Sequence, residues 1–243
     1  MSDDKPDEAA AAAVRLLWGP HPKPARGPRP TLDLARIARA GIAVADESGL
    51  AEVSMQRIAA ELGVTKMALY RYVPGKAELV ALMVDGAIGP YPASDEPVGD
   101  WRGQLHAWAR GLLLLFRRHP WALEATVGLR VMGPGELSWM ERAVSALDGT
   151  GLTGAERMDA ALLLSGHVRA IAQQARAAGP AGNPEAQLGA VLGELMQTHG
   201  EQFPALTAAL ASAAGSADQD QAWDFGLDRI LDGLATLIDA RNR

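Results

Sequence analysis

Residues 63–79 read GVTKMALYRYVPGKAEL and carry more structural information than any other segment of this chain. Gly63 can end a preceding helix in the left-handed conformation without steric cost. Thr65 is a suitable N-cap for a new helix, which Pro74 and Gly75 stop about two turns later. The pattern predicts a short helix with three apolar or aromatic residues on its buried face: Leu69, Tyr70 and Val73.

A second short helix precedes this one. Ser54 can cap a helix from about Met55 to Leu62, and a tight turn at Gly63 and Val64 joins the two helices. This arrangement is a helix-turn-helix, whose second helix reads base edges in the major groove. The outward side of that helix combines donors with apolar atoms, as such a groove requires: Met67, Ala68, Arg71 and Tyr72. Helix, glycine turn and helix also occur in all-α proteins that bind no DNA.

Two segments make the pattern more specific, IAAELGV at residues 58–64 and LYRYVPGKAEL at residues 69–79. Together they resemble the signature of the TetR (tetracycline repressor-like) family over about residues 32–88. Where the family usually has Phe, this chain has Val73, which is also apolar. The resemblance implies an all-α fold, with an N-terminal three-helix DNA-binding domain that contains the helix-turn-helix. A larger C-terminal helical domain would then bind a ligand and dimerise.

The distribution of charge agrees with DNA binding, although the net charge of the 243 residues is −6. Residues 21–80 carry a net charge of +3, whereas residues 81–243 carry −7. Phosphate therefore attracts the helix-turn-helix and repels the remainder, which orients the protein on DNA. Because the positive excess is small, we expect modest non-specific affinity with a strong salt dependence.

The composition also limits other functions. The chain has no Cys, which excludes disulfides, thiolate metal sites and a Cys nucleophile. The acidic N-terminus does not resemble a signal peptide, and the longest apolar run, residues 112–116, is too short to span a bilayer. These features predict a cytoplasmic protein.

The chain is expected to consist of an arm and two domains. Residues 1–30 form a partly disordered N-terminal arm, with a loose helix at Asp7–Trp18 and five prolines between residues 20 and 30. The basic residues of this arm either stay in solvent or lie in the minor groove. Residues 31–88 form the helix-turn-helix domain, and residues 100–243 form the effector-binding and dimerisation domain. Proline and glycine mark the boundary between them.

Helical periodicity continues to the C-terminus without a strand signal. The predicted helices of the larger domain are 100–118, 120–131, 135–148, 153–178, 184–199, 204–214 and 220–241. Thr153 and Glu156 form a capping box at the start of the longest of them. The last helix carries a broad apolar stripe: Trp223, Leu227, Ile230, Leu231, Leu234, Leu237 and Ile238. The resemblance implies a four-helix dimer interface built from these two helices of each subunit, and packing within one subunit is the alternative.

The resemblance also implies specific contacts with double-stranded DNA. Gln56 would pair with adenine, Lys66 and Arg71 with guanine or phosphate, and the apolar Met67 and Ala68 with thymine methyl groups. The remaining hydroxyl and amine groups would hold phosphates and fix the register without reading sequence. The complete candidate set is Ser54, Gln56, Thr65, Lys66, Met67, Ala68, Tyr70, Arg71, Tyr72 and Lys76.

The larger domain should enclose a small-molecule effector, for which the tryptophans suggest an apolar or aromatic compound. The candidate residues are Trp108, Phe116, Arg130, Trp139, His167 and Gln173, and for each of them ordinary packing or solvent exposure is the alternative. Three other histidines have no partner at metal-ligand spacing: His106, His119 and His199. No cofactor, metal or catalytic group is predicted.

These observations predict a homodimeric, ligand-responsive transcriptional repressor that binds a palindromic operator. Effector binding would shift the fourth helix of the DNA-binding domain and change the separation of the two recognition helices. Two alternatives remain, an all-α enzyme with an incidental helix-turn-helix and a DNA-binding regulator that has no effector.

Overall fold

The computed structural model describes residues 5–19, 32–92, 99–179, 183–213 and 221–243, and within these ranges all regular structure is helical. The predicted all-α class is confirmed. In the same ranges, no helix is long and apolar enough to cross a membrane. The helices are α1 Lys5–Trp18, α2 Leu34–Ser48, α3 Met55–Glu61, α4 Lys66–Tyr70, α5 Lys76–Ile88, α6 Trp101–Arg118, α7 Ala122–Ala125, α8 Pro134–Ser145, α9 Gly154–Ala178, α10 Pro184–His199, α11 Pro204–Ala213 and α12 Ala222–Arg241.

The chain divides into two compact units, residues 1–148 and 149–243. In the first unit, α5 is central and packs against α1, α2, α7 and α8. In the second unit, α9 packs against α10 and α12. The functional division into an arm, residues 31–88 and residues 100–243 stays a prediction, because a division by packing does not identify which segments carry DNA or effector binding.

The predicted caps Ser54 and Thr65 and the predicted turn at Gly63 are confirmed. Asp33 Oδ1 accepts a hydrogen bond from the Arg36 N–H at 2.6 Å and caps α2. Ser54 and Thr65 cap α3 and α4 in the same way, each through its hydroxyl. Gly63 lies between α3 and α4 with φ +68°, the left-handed conformation that favours glycine. Three helices, α2, α3 and α4, therefore form the head of the protein.

The N-terminal segment is more ordered than the sequence indicates. Residues 5–18 form α1, which packs against α5, and Leu16 and Leu17 are buried. The Trp18 indole N–H donates to the Met132 carbonyl oxygen at 2.9 Å. Tertiary contacts bury the apolar end of this alanine-rich helix, which has little stability alone. The proline-rich part of the predicted arm lies outside the described residues.

The predicted helix 120–131 is wrong in its length. Only Ala122–Ala125 are helical, and Gly128 has φ +84°, which a continuing α-helix does not allow. Trp121 and Leu123 are buried, whereas Val127 and Leu129 are exposed. The apolar residues of this segment resemble a helical stripe, but only its first turn packs into the core.

The start of α8 approaches the end of α5 closely enough to require glycine. A Cβ atom on Gly135 would lie 2.9 Å from the Asp85 carbonyl oxygen and 3.0 Å from the carbonyl carbon of Gly89. The Asp85 side chain accepts a hydrogen bond from the Glu136 N–H at 3.2 Å. A carboxylate at this place satisfies an N–H group of the first turn and favours the helix dipole. The last turn of α5 is therefore fixed to α8.

The second unit is built around α9 and α12. The predicted capping box of Thr153 and Glu156 is confirmed. The Arg241 side chain hydrogen-bonds to Glu156 and, together with the Thr153 N–H, holds the pKa of that carboxyl below its ordinary value of 4.5. Four residues of the apolar stripe on α12 are buried within the chain itself: Leu227, Leu231, Leu234 and Ile238. The stripe therefore serves packing within one subunit more than the sequence suggests.

Candidate nucleic-acid interface

The short helix α4 is held in the head by two side chains. Leu69 and Val73 are completely buried, and α4 packs against α3. The prediction that Tyr70 shares this buried face is wrong, since 38% of Tyr70 is exposed. A five-residue helix has only a narrow buried face, and Tyr70 lies about 100° around the axis from Leu69. Its ring therefore lies at the edge of the face.

The opposite side of α4 is open to solvent. Met67 is 73% exposed, and Lys66 and Arg71 are exposed beside it. Lys66 Nζ lies 5.7 Å from the centroid of the Tyr70 ring, a cation–π distance that restricts the long lysine side chain. The exposed side thus carries two cations, an aromatic ring and a flexible apolar group, which together offer donors and van der Waals contacts to base edges and phosphates.

The N-cap residues Ser54 and Thr65 place hydroxyl groups at the N-terminal ends of α3 and α4. Ser54 Oγ accepts from the Arg57 N–H, and Thr65 Oγ1 accepts from the Ala68 N–H, both at 3.2 Å. Each hydroxyl keeps its own hydrogen for a second partner such as phosphate. The structure exposes every predicted DNA-binding residue except Ala68, which is half-buried.

Three of the predicted effector residues of the first unit, Trp108, Phe116 and Trp139, are buried, and the two tryptophans form a pair. The Trp108 indole N–H donates to the Trp139 carbonyl oxygen at 2.8 Å, and the two ring centroids are 6.4 Å apart. The Trp139 indole N–H donates to the Gly89 carbonyl oxygen at 3.2 Å, and the Tyr91 ring meets Trp139 edge-on at a centroid distance of 4.9 Å. Phe116 is buried two helical turns after Trp108 on α6.

Arg130 lies at the entry to α8. Its guanidinium forms two hydrogen bonds with the Glu136 carboxylate, one of them at 2.7 Å. Arg130 Nε is buried and has no hydrogen-bond partner in the part of the chain that the structure describes. This ion pair borders the first turn of α8, one turn before Trp139.

The last two predicted effector residues belong to the second unit. The His167 ring stacks on Trp223 at a centroid distance of 5.5 Å, and His167 Nε2 lies 3.1 Å from the Trp223 carbonyl oxygen. A Cβ atom on Gly226 would collide with the His167 ring, so α9 and α12 approach closely here. Gln173 is exposed on α9. Packing explains His167, and nothing in the surroundings of Gln173 indicates a binding cavity.

One polar cluster was not indicated by the sequence. Asp46 of α2 meets His119 and Trp121, which lie 73 and 75 residues further along the chain. No periodic or spacing signal connects residues so far apart. Among the described residues, no group of His, Cys, Asp or Glu side chains could hold a metal ion.

Comparisons with known proteins agree with the geometry. The family described as "Bacterial regulatory proteins, tetR family" matches residues 37–83, and "Tetracyclin repressor-like, C-terminal domain" matches residues 92–238. The HTH-type transcriptional repressor DrrR1 of Streptomyces coeruleorubidus is 37% identical over 241 residues, which cover 95% of this chain and 87% of that protein.

Solved structures give the same result. Apo ActR from Streptomyces coelicolor has a TM-score of 0.73 and 28% identity, with 88% of this chain and 99% of that chain covered. ActR in complex with actinorhodin has a TM-score of 0.70 and 29% identity, with 84% and 95% covered. The similarity therefore extends over both the head and the larger helical region.

Proposed function

This chain belongs to the TetR family of bacterial regulatory proteins, and on that premise we propose that it is a ligand-responsive transcriptional repressor. As a homodimer it binds a palindromic DNA operator, and a small-molecule effector releases it. One observation carries the proposal: Leu69 of α4 and Val73, three residues after its end, are completely buried, whereas Lys66, Met67 and the C-cap Arg71 stay in solvent. Such an edge fits a major groove.

Individual DNA contacts follow from this placement. Lys66 on α4, Arg71 at its C-cap and Gln56 on α3 are the candidates for reading bases. Met67 and Ala68 are the candidates for touching thymine methyl groups. Hydroxyl and amine groups around the two short helices are the candidates for holding phosphates: Ser54, Thr65, Tyr70, Tyr72 and Lys76. The exposure of Lys76 at the first turn of α5 supports its place among them.

Replacing Arg71 or Lys76 with Ala is expected to distinguish the reading of bases from the binding of phosphates. Arg71→Ala should lower the affinity for the cognate operator by about tenfold or more, since a bidentate base contact is worth about 1–3 kcal/mol. It should also reduce the preference for the cognate sequence. Lys76→Ala should lower the affinity for all duplexes equally. It should also reduce the slope of log affinity against log salt concentration by about one unit. Fluorescence anisotropy on cognate and scrambled duplexes at several salt concentrations measures both. Equal losses on both duplexes for Arg71→Ala would exclude a reading role.

Dimerisation is supported by apolar side chains that the single chain leaves exposed. Met158, Leu162 and Leu163 project from α9, and Phe225 projects from α12, with exposed fractions between 43% and 63%. These residues differ from the α12 stripe that the sequence suggested, most of which is buried. A second subunit would cover the exposed set and place two recognition helices on one operator.

The tryptophan pair of the first unit supports an effector region. Trp108, Trp139 and Phe116 are large apolar groups, and the Arg130–Glu136 pair adds polar groups at the start of α8. A site of this kind suits a planar aromatic compound. ActR, which is 29% identical, has been crystallised with actinorhodin, so related aromatic compounds are reasonable probes. His167 and Gln173 stay weaker candidates, for which packing and solvent exposure are the competing explanations.

A thermal melt with a panel of aromatic compounds that includes actinorhodin tests the effector. A compound that binds only the folded protein at 100 times its Kd should stabilise it by about 2.7 kcal/mol. Trp139→Phe should reduce the rise in Tm, whereas the matched change Trp18→Phe, at a tryptophan that is 48% exposed, should not. If no compound raises the Tm or releases DNA, the alternative of a regulator without an effector is favoured.

The remaining predictions follow the same proposal. The family and its relatives are regulators of transcription rather than enzymes, and we place this chain with them and in the cytoplasm, where its DNA is. We assign DNA binding to residues 31–88 and effector binding and dimerisation to residues 100–243. A protease-protection experiment with operator DNA, which should shield the first segment alone, tests this division.

A further inference from the structure

The Asp46 carboxylate joins the head to the turn between α6 and α7. Asp46 lies in the last turn of α2, and its Oδ1 is 2.7 Å from both His119 Nδ1 and Trp121 Nε1. An indole N–H can only donate, and an ionised carboxylate can only accept. The His119 Nδ1 atom therefore carries its proton and donates to the same oxygen. We call residues 119–121 the corner.

The corner is built so that both donors point to one place. The His119 N–H ends α6 by donating to the Leu115 carbonyl oxygen, and the His119 carbonyl oxygen accepts from the Ala122 N–H that starts α7, both at 2.9 Å. Pro120 restricts the backbone between the two donors. The His119 and Trp121 residues are 7% and 2% exposed. Buried donors on a constrained turn have few other orientations, so the carboxylate meets a rigid partner.

This contact links two regions that the proposed function must connect. On one side, α2 packs against α3, and α3 packs against α4, so the orientation of α2 sets that of the recognition helix. On the other side, the corner follows α6 directly, and Phe116 lies one turn before His119. Asp46 thus lies between the candidate effector residues and the head.

The head has a second attachment, through α5. That helix packs against α2 and α8, and Asp85 accepts from the Glu136 N–H at the start of α8. One attachment would leave the head able to rotate about it, whereas two separate attachments determine its orientation. The Asp46 contact attaches α2 directly to the corner and does not pass through α5, the helix expected to move.

We propose that Asp46 is a positioning residue that fixes the orientation of the head through its hydrogen bonds to His119 and Trp121. The consequence for operator binding rests on the proposed function. Losing the two hydrogen bonds broadens the range of head orientations, and only part of that range fits successive major grooves. DNA affinity is then multiplied by the fraction of orientations that remain competent to bind.

Distance measurements within one chain test the proposal. Because the sequence has no Cys, Glu61→Cys on α3 and Arg110→Cys on α6 introduce two spin labels at exposed positions of the full-length protein. Mixing with an excess of unlabelled chain isolates the distance within one subunit, whatever the oligomeric state. Pulsed electron paramagnetic resonance then reports the distribution of distances between head and α6.

The variants are chosen to test the role of the acceptor atom, Asp46 Oδ1. Asp46→Ala removes this oxygen, and Trp121→Phe removes the indole N–H donor while keeping an aromatic ring. Both should widen the distance distribution by about twofold and lower operator affinity by about tenfold. Asp46→Asn keeps an oxygen that can accept both bonds and should retain the narrow distribution.

The opposite results overturn the proposal. A wild-type distribution in both Asp46→Ala and Trp121→Phe would mean that other contacts orient the head. Broadening in Asp46→Asn equal to that in Asp46→Ala would exclude the acceptor oxygen as the cause. If the wild-type protein binds no DNA, the proposed function fails, whereas the distance measurement still decides whether Asp46 positions the head.

Discussion

Leu69→Ala is expected to abolish operator binding, with a loss of affinity of about 100-fold or more. Leu69 is completely buried and is one of two side chains that hold the five-residue helix α4 in place. A buried Leu→Ala change costs about 2–5 kcal/mol, and about 1.4 kcal/mol corresponds to a factor of ten. So short a helix has no stability of its own to compensate. The recognition helix should therefore be unfolded most of the time.

The measurement combines anisotropy on operator DNA with sedimentation and amide hydrogen exchange. Leu69→Ala should lose protection in α3 and α4 and remain a dimer, because the exposed apolar residues of α9 and α12 are unchanged. Met67→Ala is the matched control on the same helix, since Met67 is 73% exposed. Met67→Ala should leave amide hydrogen exchange unchanged and lower the affinity only for operators that offer a thymine methyl group. Wild-type DNA affinity in Leu69→Ala would contradict the assignment of α4 as the recognition helix.

Leu162→Asp is expected to convert the dimer to monomers and to weaken operator binding by a comparable factor. Leu162 is 56% exposed in the single chain and lies on α9 near Met158 and Leu163. A charge buried against apolar groups of a second subunit is costly to desolvate. Two linked heads bind the operator at least about 100-fold more tightly than one head, because the second contact becomes intramolecular. The monomer loses this advantage although each head is intact.

Sedimentation equilibrium gives the mass directly, and 25.6 kDa is expected for Leu162→Asp against twice that for the wild type. Leu129→Asp is the control, because Leu129 is fully exposed in the first unit and outside α9 and α12. This control should stay dimeric and bind operator normally. If Leu162→Asp keeps the dimer mass, α9 is not the interface. Together with Leu69→Ala, the variant separates loss of the recognition helix from loss of the partner.

The head was predictable because its signals act over a few residues. Thr65 caps α4 through the N–H three residues later, and Gly63 takes the left-handed conformation between α3 and α4. Steric and capping effects of this kind operate in almost any surrounding structure. The exposed edge of α4 follows from the same local geometry. Tyr70 was misjudged because the width of a buried face depends on how closely the neighbouring helix approaches.

The prediction of a helix at residues 120–131 shows the limit of periodicity. Apolar residues recur there at helical spacing, but the chain turns at Gly128 and exposes Val127 and Leu129. The apolar stripe of α12 shows the same limit, since much of it is buried in its own subunit, and α9 carries three of the four exposed apolar side chains proposed for the dimer interface. Periodicity indicates which side of a helix is apolar and leaves open which partner covers it.

By itself the sequence determined the family, the all-α class, the caps and turns of the head and the exposed residues that we propose to face DNA, because these depend on residues close together in the chain. Only the tertiary structure placed α1 against α5, joined Asp46 to His119 and Trp121, and paired Trp108 with Trp139. Such contacts connect side chains that are tens of residues apart. They form only when packing brings the helices together, and the local pattern around each residue is the same whether or not the contact exists.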